Sequence, residues 1–308
     1  MRVIAVAVAC VVAAACAKKK SIDAERAAGA FERVTIDTGG IHGLSGLAIA
    51  ADGAVWTVAE RGKTAYRVEL DGTKVRKVDR VGIEGLPAGN DLESAAFGPD
   101  GDLFVGTENN AAGIANVFRL HRDGGVLRVT GEPITLTKAD AGVDVGANHG
   151  AEAACAAGGR LAVALETAGS DARGRWAPLV VVDLATGAKV GHRVRLRTST
   201  GKLSGLDCWT EPGTGGARIR AVAIERHFEV TQLVGFDLPA AGAPTTDIAT
   251  ELVLDLAPAL RGALNLEGIV RFPDGRLVAV VDNQYKTITG PDELLCFKTP
   301  LPASPPPP

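Results

Sequence analysis

The chain is 308 residues long, 46% hydrophobic, 22% charged and only 4% aromatic, a composition able to fill a core without being that of a membrane-embedded protein. Its formal net charge of −3 and the lack of any long basic run leave no electrostatic footprint for nucleic acid. Glycine, at 38 residues, exceeds the average usage of about 7% and is scattered among separated turns, so many short strands are expected.

Residues 1–17, MRVIAVAVACVVAAACA, set Arg2 before an apolar stretch from Val3 to Ala15. That stretch is too short for a stable bilayer span and has the form of an export signal peptide. Two processing sites fit. Ala13-Ala14-Ala15 before Cys16 is similar to a bacterial lipobox and would leave Cys16 lipidated, whereas Ala15-Cys16-Ala17 fits small-x-small cleavage before Lys18. The protein is therefore expected in the periplasm or as an outer-membrane lipoprotein, alternatively secreted, with a lipid anchor as its sole membrane contact. Residues 18–30 read as a linker.

A strand-like segment, FERVTID (31–37), precedes five segments that align with one another: 44–61, 92–109, 151–167, 203–226 and 266–283. Each is a short apolar run, a turn carrying Asp-Gly, Gly-Gly or a longer insertion, and an alternating run ending in an acid, which is a β-hairpin pattern. Two further strand-like runs follow each hairpin, as in AYRVEL then TKVRKVDRV and LVVVDL then HRVRLR. Four strands per unit, repeated every 48 to 59 residues, read as propeller blades. The fifth unit keeps only ELLCFKT (293–299) after its hairpin, and FERVTID supplies the missing strand, closing the ring. The expected fold is all-β: a single propeller of five four-stranded blades, six being the alternative, over residues 31–299. The Pro-rich residues 300–308 cannot donate to a ladder and are expected to be disordered.

The motifs GLSGLAIAADGAVWTVAERG, DLESAAFGPDGDLFVGTEN, NHGAEAACAAGGRLAVALE and NLEGIVRFPDGRLVAVVDN resemble those of the phytase-like family, also called esterase-like activity of phytase, a group of exported bacterial β-propellers. With their connecting strands they cover residues 40–290. The resemblance implies a propeller and, as activity, hydrolysis of a phosphorylated or other ester. It carries no catalytic residue onto this chain.

The repeat turns scattered acids into rings about an axial channel. Ser45, Glu93, Glu152, Ser204 and Glu267 open the inner strands, while Glu60, Glu108, Glu166, Glu225 and Asp282 close the strands that follow. Antiparallel pairing brings both rings to one face, where eight carboxylates would repel one another without compensating cations or protons. Hard oxygen donors suit Ca²⁺, the expected metal. The alternative is that these acids bond backbone amides of the neighbouring blade or pair with Arg61 and Arg226.

Loops on the same face carry His42, Arg61, Arg226, His227, Asn283 and Lys286, a set suited to a small anionic or ester substrate, and His149 as the acid or base candidate. A non-catalytic binding or protein-interaction propeller would present similar loops. No nucleophile elbow, complete phosphate loop or H-E-x-x-H occurs. Of five cysteines, Cys10 and Cys16 fall in the signal. Cys155 and Cys208, on equivalent inner strands of consecutive blades, are the expected disulfide, and Cys296 is left over. Their one-residue offset argues against it if alternation holds, and buried free thiols are the alternative.

Overall fold

The computed structural model describes residues 31–108, 111, 113–213, 216–227, 230–256, 264–283 and 291–297. The expected signal peptide, Cys16, the linker, Lys286 and the Pro-rich tail lie outside the described residues.

The chain opens with β1 (Phe31–Ile36) and then lays down strands in hairpin-led groups. The first group is β2 (Leu44–Ile49), β3 (Val55–Ala59), β4 (Thr64–Asp71) and β5 (Lys74–Glu84). The second is β6 (Asp91–Phe97), β7 (Leu103–Glu108), β8 (Ile114–Asp123) and β9 (Val126–Val129), with β10 (Ile134–Thr137) also on β8. A single helical turn, α1 (Lys138–Ala141), leads to the third: β11 (Ala151–Ala157), β12 (Arg160–Leu165), β13 (Gly169–Asp171), β14 (Gly174–Asp183) and β15 (Lys189–Arg195). The fourth is β16 (Lys202–Gly213), β17 (Gly216–His227) and β18 (Val230–Asp237), then β19 (Asp247–Ile248) and β20 (Glu251–Asp255). The last is β21 (Asn265–Arg271), β22 (Leu277–Asp282) and β23 (Asp292–Phe297).

Within each group the strands pair antiparallel from the axis outward, and β1 pairs with β23 from Phe31↔Phe297 to Ile36↔Asp292. The N-terminal strand is therefore the outermost strand of the C-terminal sheet, and the two ends of the described chain close one blade. Among the described residues the inner strands β2, β6, β11, β16 and β21 neighbour one another in a closed cycle. Two outer edges are covered by short parallel pairings, β5 with β9 and β15 with β19. The segments β10, β13 and β19 are too short to carry a readable alternation, and the sequence does not announce them.

The cores lie between sheets. Five apolar clusters each draw on two consecutive blades; one joins Leu44, Leu47 and Tyr66 to Val278, Val280 and Leu294 across the closure. A strand near the axis is thus covered on both faces, so β2, β3 and β22 are buried along almost their whole length, whereas the outer β5 alternates with solvent. This explains why the inner hairpins read as apolar runs and only the outer strands as alternating ones.

Cys155 and Cys208 form a disulfide with Cα atoms 5.6 Å apart, and Cys296 is buried and free. The one-residue offset is what the geometry requires. Cys155 shares its face of β11 with Ala153, Cys208 shares its face of β16 with Leu206, and all four belong to the cluster between these two sheets. One cysteine must look forward and the other back, which places them on opposite alternation phases.

Candidate active site

Every inner strand breaks register near its start: between Ser45 and Leu47, Leu92 and Ser94, Ala151 and Ala153, Leu203 and Gly205, and Leu266 and Gly268. In four of these β-bulges the residue skipped by the ladder is the first-ring residue itself, Glu93, Glu152, Ser204 or Glu267. A bulged residue is released from strict alternation and its side chain is re-aimed. The three acids so released line an axial cavity of about 850 Å³, while Ser45 and Ser204 turn into the wall and bond Glu93 O and Leu266 O of the next inner strand, each at 2.7 Å.

The floor of this cavity is sealed. Below the acids the inner strands approach so closely that the axial gap is too narrow for a water molecule. Gly46 and Gly268 permit the approach, since a Cβ on Gly46 would lie 2.8 Å from Ala95 N and one on Gly268 2.6 Å from Leu47 N. The site is a blind cup reached from the face that carries the loops.

Seven of the eight predicted acids line the cup: Glu60, Glu93, Glu108, Glu152, Glu166, Glu267 and Asp282. Glu225 does not, which corrects its assignment. Its carboxylate is fully buried and accepts the backbone N–H groups of Arg197 and Thr198 at 3.0 and 2.9 Å, the Thr198 hydroxyl and the Gln232 amide, so it holds the loop before β16 in place. The predicted Arg61, His149, Arg226 and His227 line the cup, with His149 exposed at the rim. His42 and Asn283 do not. Asn283 donates to the buried Asp292 at 2.8 Å and accepts the Gly43 N–H at 2.9 Å, and His42 Nδ1 lies 3.2 Å from Asp292. With Thr38, which also bonds Asp292, they clasp β1 and the β2 approach to β23, a role in ring closure.

The acids are compensated unevenly. Lys202 donates to Glu152 at 2.8 Å and also to Glu166, while Arg226 pairs with Glu267. Burial alone would lower the Lys202 pKa, but the charges of Glu152, Glu267 and Glu166 override it and hold the ammonium form. On the opposite wall Glu60 is pushed up to about 8, first by burial and then by Asp282, Asp91 and Glu108, with Arg61 offsetting part of this. Glu93 is raised well above the carboxylate range by burial and by Glu152, Glu108, Glu60 and Glu267. Glu108 is pushed up to about 7 by burial and by Glu152, Glu166 and Asp91, with Glu93 on the paired strand β6 offsetting part of this. Neighbouring carboxyl groups whose pKa values are both raised favour a state with one proton between them. The bridging part of Lys202 was not legible in the sequence; the signal was a lysine two residues before Ser204, where the second, third and fifth blades put an acid on the ring.

Oxygen donors of this kind suit a hard cation. Their arrangement does not: among the described residues no three His, Cys, Asp or Glu side chains converge so as to hold a metal ion. Of the eight acids expected around Ca²⁺, Glu225 is bonded to backbone, Glu152, Glu166 and Glu267 are ion-paired, Glu93 and Glu108 form a coupled pair, and Glu60 faces Asp282.

The chain matches the family described as "Phytase-like: Esterase-like activity of phytase" over residues 39–285. It belongs to this family. No curated protein matches it by sequence. Among solved structures it is similar to a luciferin-regenerating enzyme, with a TM-score of 0.51 and 9% identity over 89% of this chain and 98% of that one. It is likewise similar to the PQQ-bound aldose sugar dehydrogenase of Streptomyces coelicolor, with a TM-score of 0.50 and 14% identity over 86% of this chain and 97% of that one. At these identities the likeness is one of fold.

Proposed function

We propose that this phytase-like propeller hydrolyses a small phosphorylated or other ester in the axial cup, with Glu93 and Glu108 as its acid–base pair. The observation that carries the reading is that Glu93 and Glu108, on the paired strands β6 and β7, line the same cup, where burial and the surrounding carboxylates raise both of their pKa values. A pair holding one proton near neutrality offers a base and an acid at the same time.

In this reading the Glu108 carboxylate takes a proton from the attacking water as its oxygen bonds to the ester centre. The bond to the leaving alkoxide breaks, and Glu93 supplies the proton that the alkoxide needs. Proton transfer from Glu108 back to Glu93 restores the pair. Lys202 and Arg226, fixed by Glu152, Glu166 and Glu267, stand as preorganised positive charge for the oxyanion. His149, at the rim, contributes contact to the bound substrate.

The test is turnover of purified protein on p-nitrophenyl phosphate, phytate and p-nitrophenyl acetate, with added Ca²⁺ and with chelator. Turnover that survives chelator and falls at least 100-fold in Glu93→Gln and in Glu108→Gln supports the reading. A ligand-binding propeller without turnover is the second reading, favoured by the engagement of Lys202 and Arg226 with carboxylates; absence of hydrolysis across the panel selects it.

A further inference from the structure

The cup is electrically polarised. Its wall sets seven carboxyl groups against four permanent cations, Arg61, Arg175, Lys202 and Arg226. Three of these cations gather on the third and fourth blades, where they balance Glu152, Glu166 and Glu267: Lys202 opens β16, Arg226 lies near the end of β17, and Arg175 lies on β14, where its Nε donates to Gly201 O at 2.8 Å. The first and second blades contribute Glu60, Glu93 and Glu108, with Asp282 of the last blade beside Glu60. Arg61, the cation on that side, lies 3.8 Å from Asp91.

Two ligand classes fit this wall poorly. A purely anionic molecule engages Lys202 and Arg226 but offers no positive charge to Glu60 and Asp282 on the opposite wall. A bare metal ion finds no converging set of three side chains among the described residues. A molecule carrying positive charge at one end and negative charge at the other matches both walls, and the volume of about 850 Å³ with its sealed floor suits a small ligand held end to end.

We propose that the ligand of the cup is a zwitterionic ester, its ammonium group toward Glu60 and Asp282 and its phosphate or carboxyl oxygens toward Lys202 and Arg226. This names the substrate class of the site read above as a hydrolase and rests on that reading for its chemistry, though not for its binding.

The experiment is calorimetric titration of the full chain at pH 7.5 with two matched pairs. Phosphocholine is compared with 3,3-dimethylbutyl phosphate, its uncharged-tail isostere, and phosphoethanolamine with propyl phosphate. At least one zwitterion is expected to bind tenfold or more tightly than its partner, with the preference falling below threefold in the Glu60→Gln/Asp282→Asn double variant. That variant relieves repulsion and leaves the Glu93–Glu108 pair in place. Equal affinity within both pairs, a preference retained in the double variant, or no measurable binding of either zwitterion overturns the proposal. A tenfold preference without hydrolysis of any ester would sink the hydrolase reading and leave the ligand class standing. Hydrolysis of simple esters with no ammonium preference would do the reverse.

Discussion

Lys202 Nζ lies 2.8 Å from Glu152 Oε1, so the cation that opens one blade is held by the acid that bulges from the inner strand of the blade before it. Lys202 also reaches Glu166 on the strand after that acid. A single side chain therefore compensates two carboxylates of one blade, and both partners of its 2.8 Å bond are largely buried.

Removing the cation takes the ammonium from Glu166 and leaves Glu152 only Arg226, 3.9 Å away. Lys202→Met is expected to destabilise the fold by about 3 kcal/mol, the usual scale for breaking one side of a buried pair. Adding Glu152→Gln should recover part of that loss. Urea denaturation of the single and double variants measures it; additive losses in the double variant would show that the two residues do not act as a pair.

The raised carboxyl pKa values set the pH dependence of stability. Unfolded carboxyls titrate at about 4 to 4.5, whereas Glu60 is raised to about 8 and Glu108 and Asp207 to about 7. Between these limits the folded protein binds more protons than the unfolded one, so stability falls as pH rises and the loss is complete above about 8. On the acid side Asp171, held down to about 2 by the Arg195 hydrogen bond, loses its pairing as it is protonated. Glu93→Gln should therefore be more stable than the parent at pH 8, by about 2 °C or more in midpoint, and indistinguishable from it at pH 5. A variant less stable at pH 8 would contradict the uncompensated wall.

Much of this architecture was legible because the repeat is short and regular. The hairpins at 44–61, 92–109 and 266–283 end in Glu60, Glu108 and Asp282, and a propeller places equivalent positions on a ring, so the acid mouth followed from spacing alone. Two things did not. Glu225 occupies the equivalent position in the fourth blade, yet its role depends on the amides of Arg197 and Thr198, partners nearly 30 residues away that no local pattern announces. His42 and Asn283 lie on the expected face, but Asp292 draws them to the blade closure. Ring position can be read from sequence, whereas the partner that consumes a side chain depends on packing between blades.

The disulfide gives a chemical test of blade order. A bridge between positions 53 residues apart restricts the unfolded chain enough to contribute about 4 kcal/mol in the loop-entropy account. Alkylation of denatured, unreduced protein should modify Cys296 and leave Cys155 and Cys208 untouched by mass spectrometry. Reduction should lower the unfolding midpoint, and Cys155→Ala/Cys208→Ala should lose stability to the same extent. Modification of all three cysteines without reductant would remove the bridge.

The sealed floor depends on residues that lack a side chain. Gly268 stands just past the Glu267 bulge, and a Cβ there would lie 2.6 Å from Leu47 N and 2.8 Å from Gly46 C, atoms of the neighbouring inner strand that belong to the backbone and cannot rotate away. Gly268→Ala must therefore push β21 from β2 and disturb the ring at the closure between last and first blades, at about 1–3 kcal/mol as for other overpacked cores. Gly82 is the control: it lies on the outer strand β5 and has open space where a Cβ would sit. Gly82→Ala should stay within about 0.5 kcal/mol of the parent, as surface substitutions usually do. Urea unfolding of the two variants compares them directly, and equal stabilities would show that the inner strands can separate without penalty and that the floor is not set by glycine.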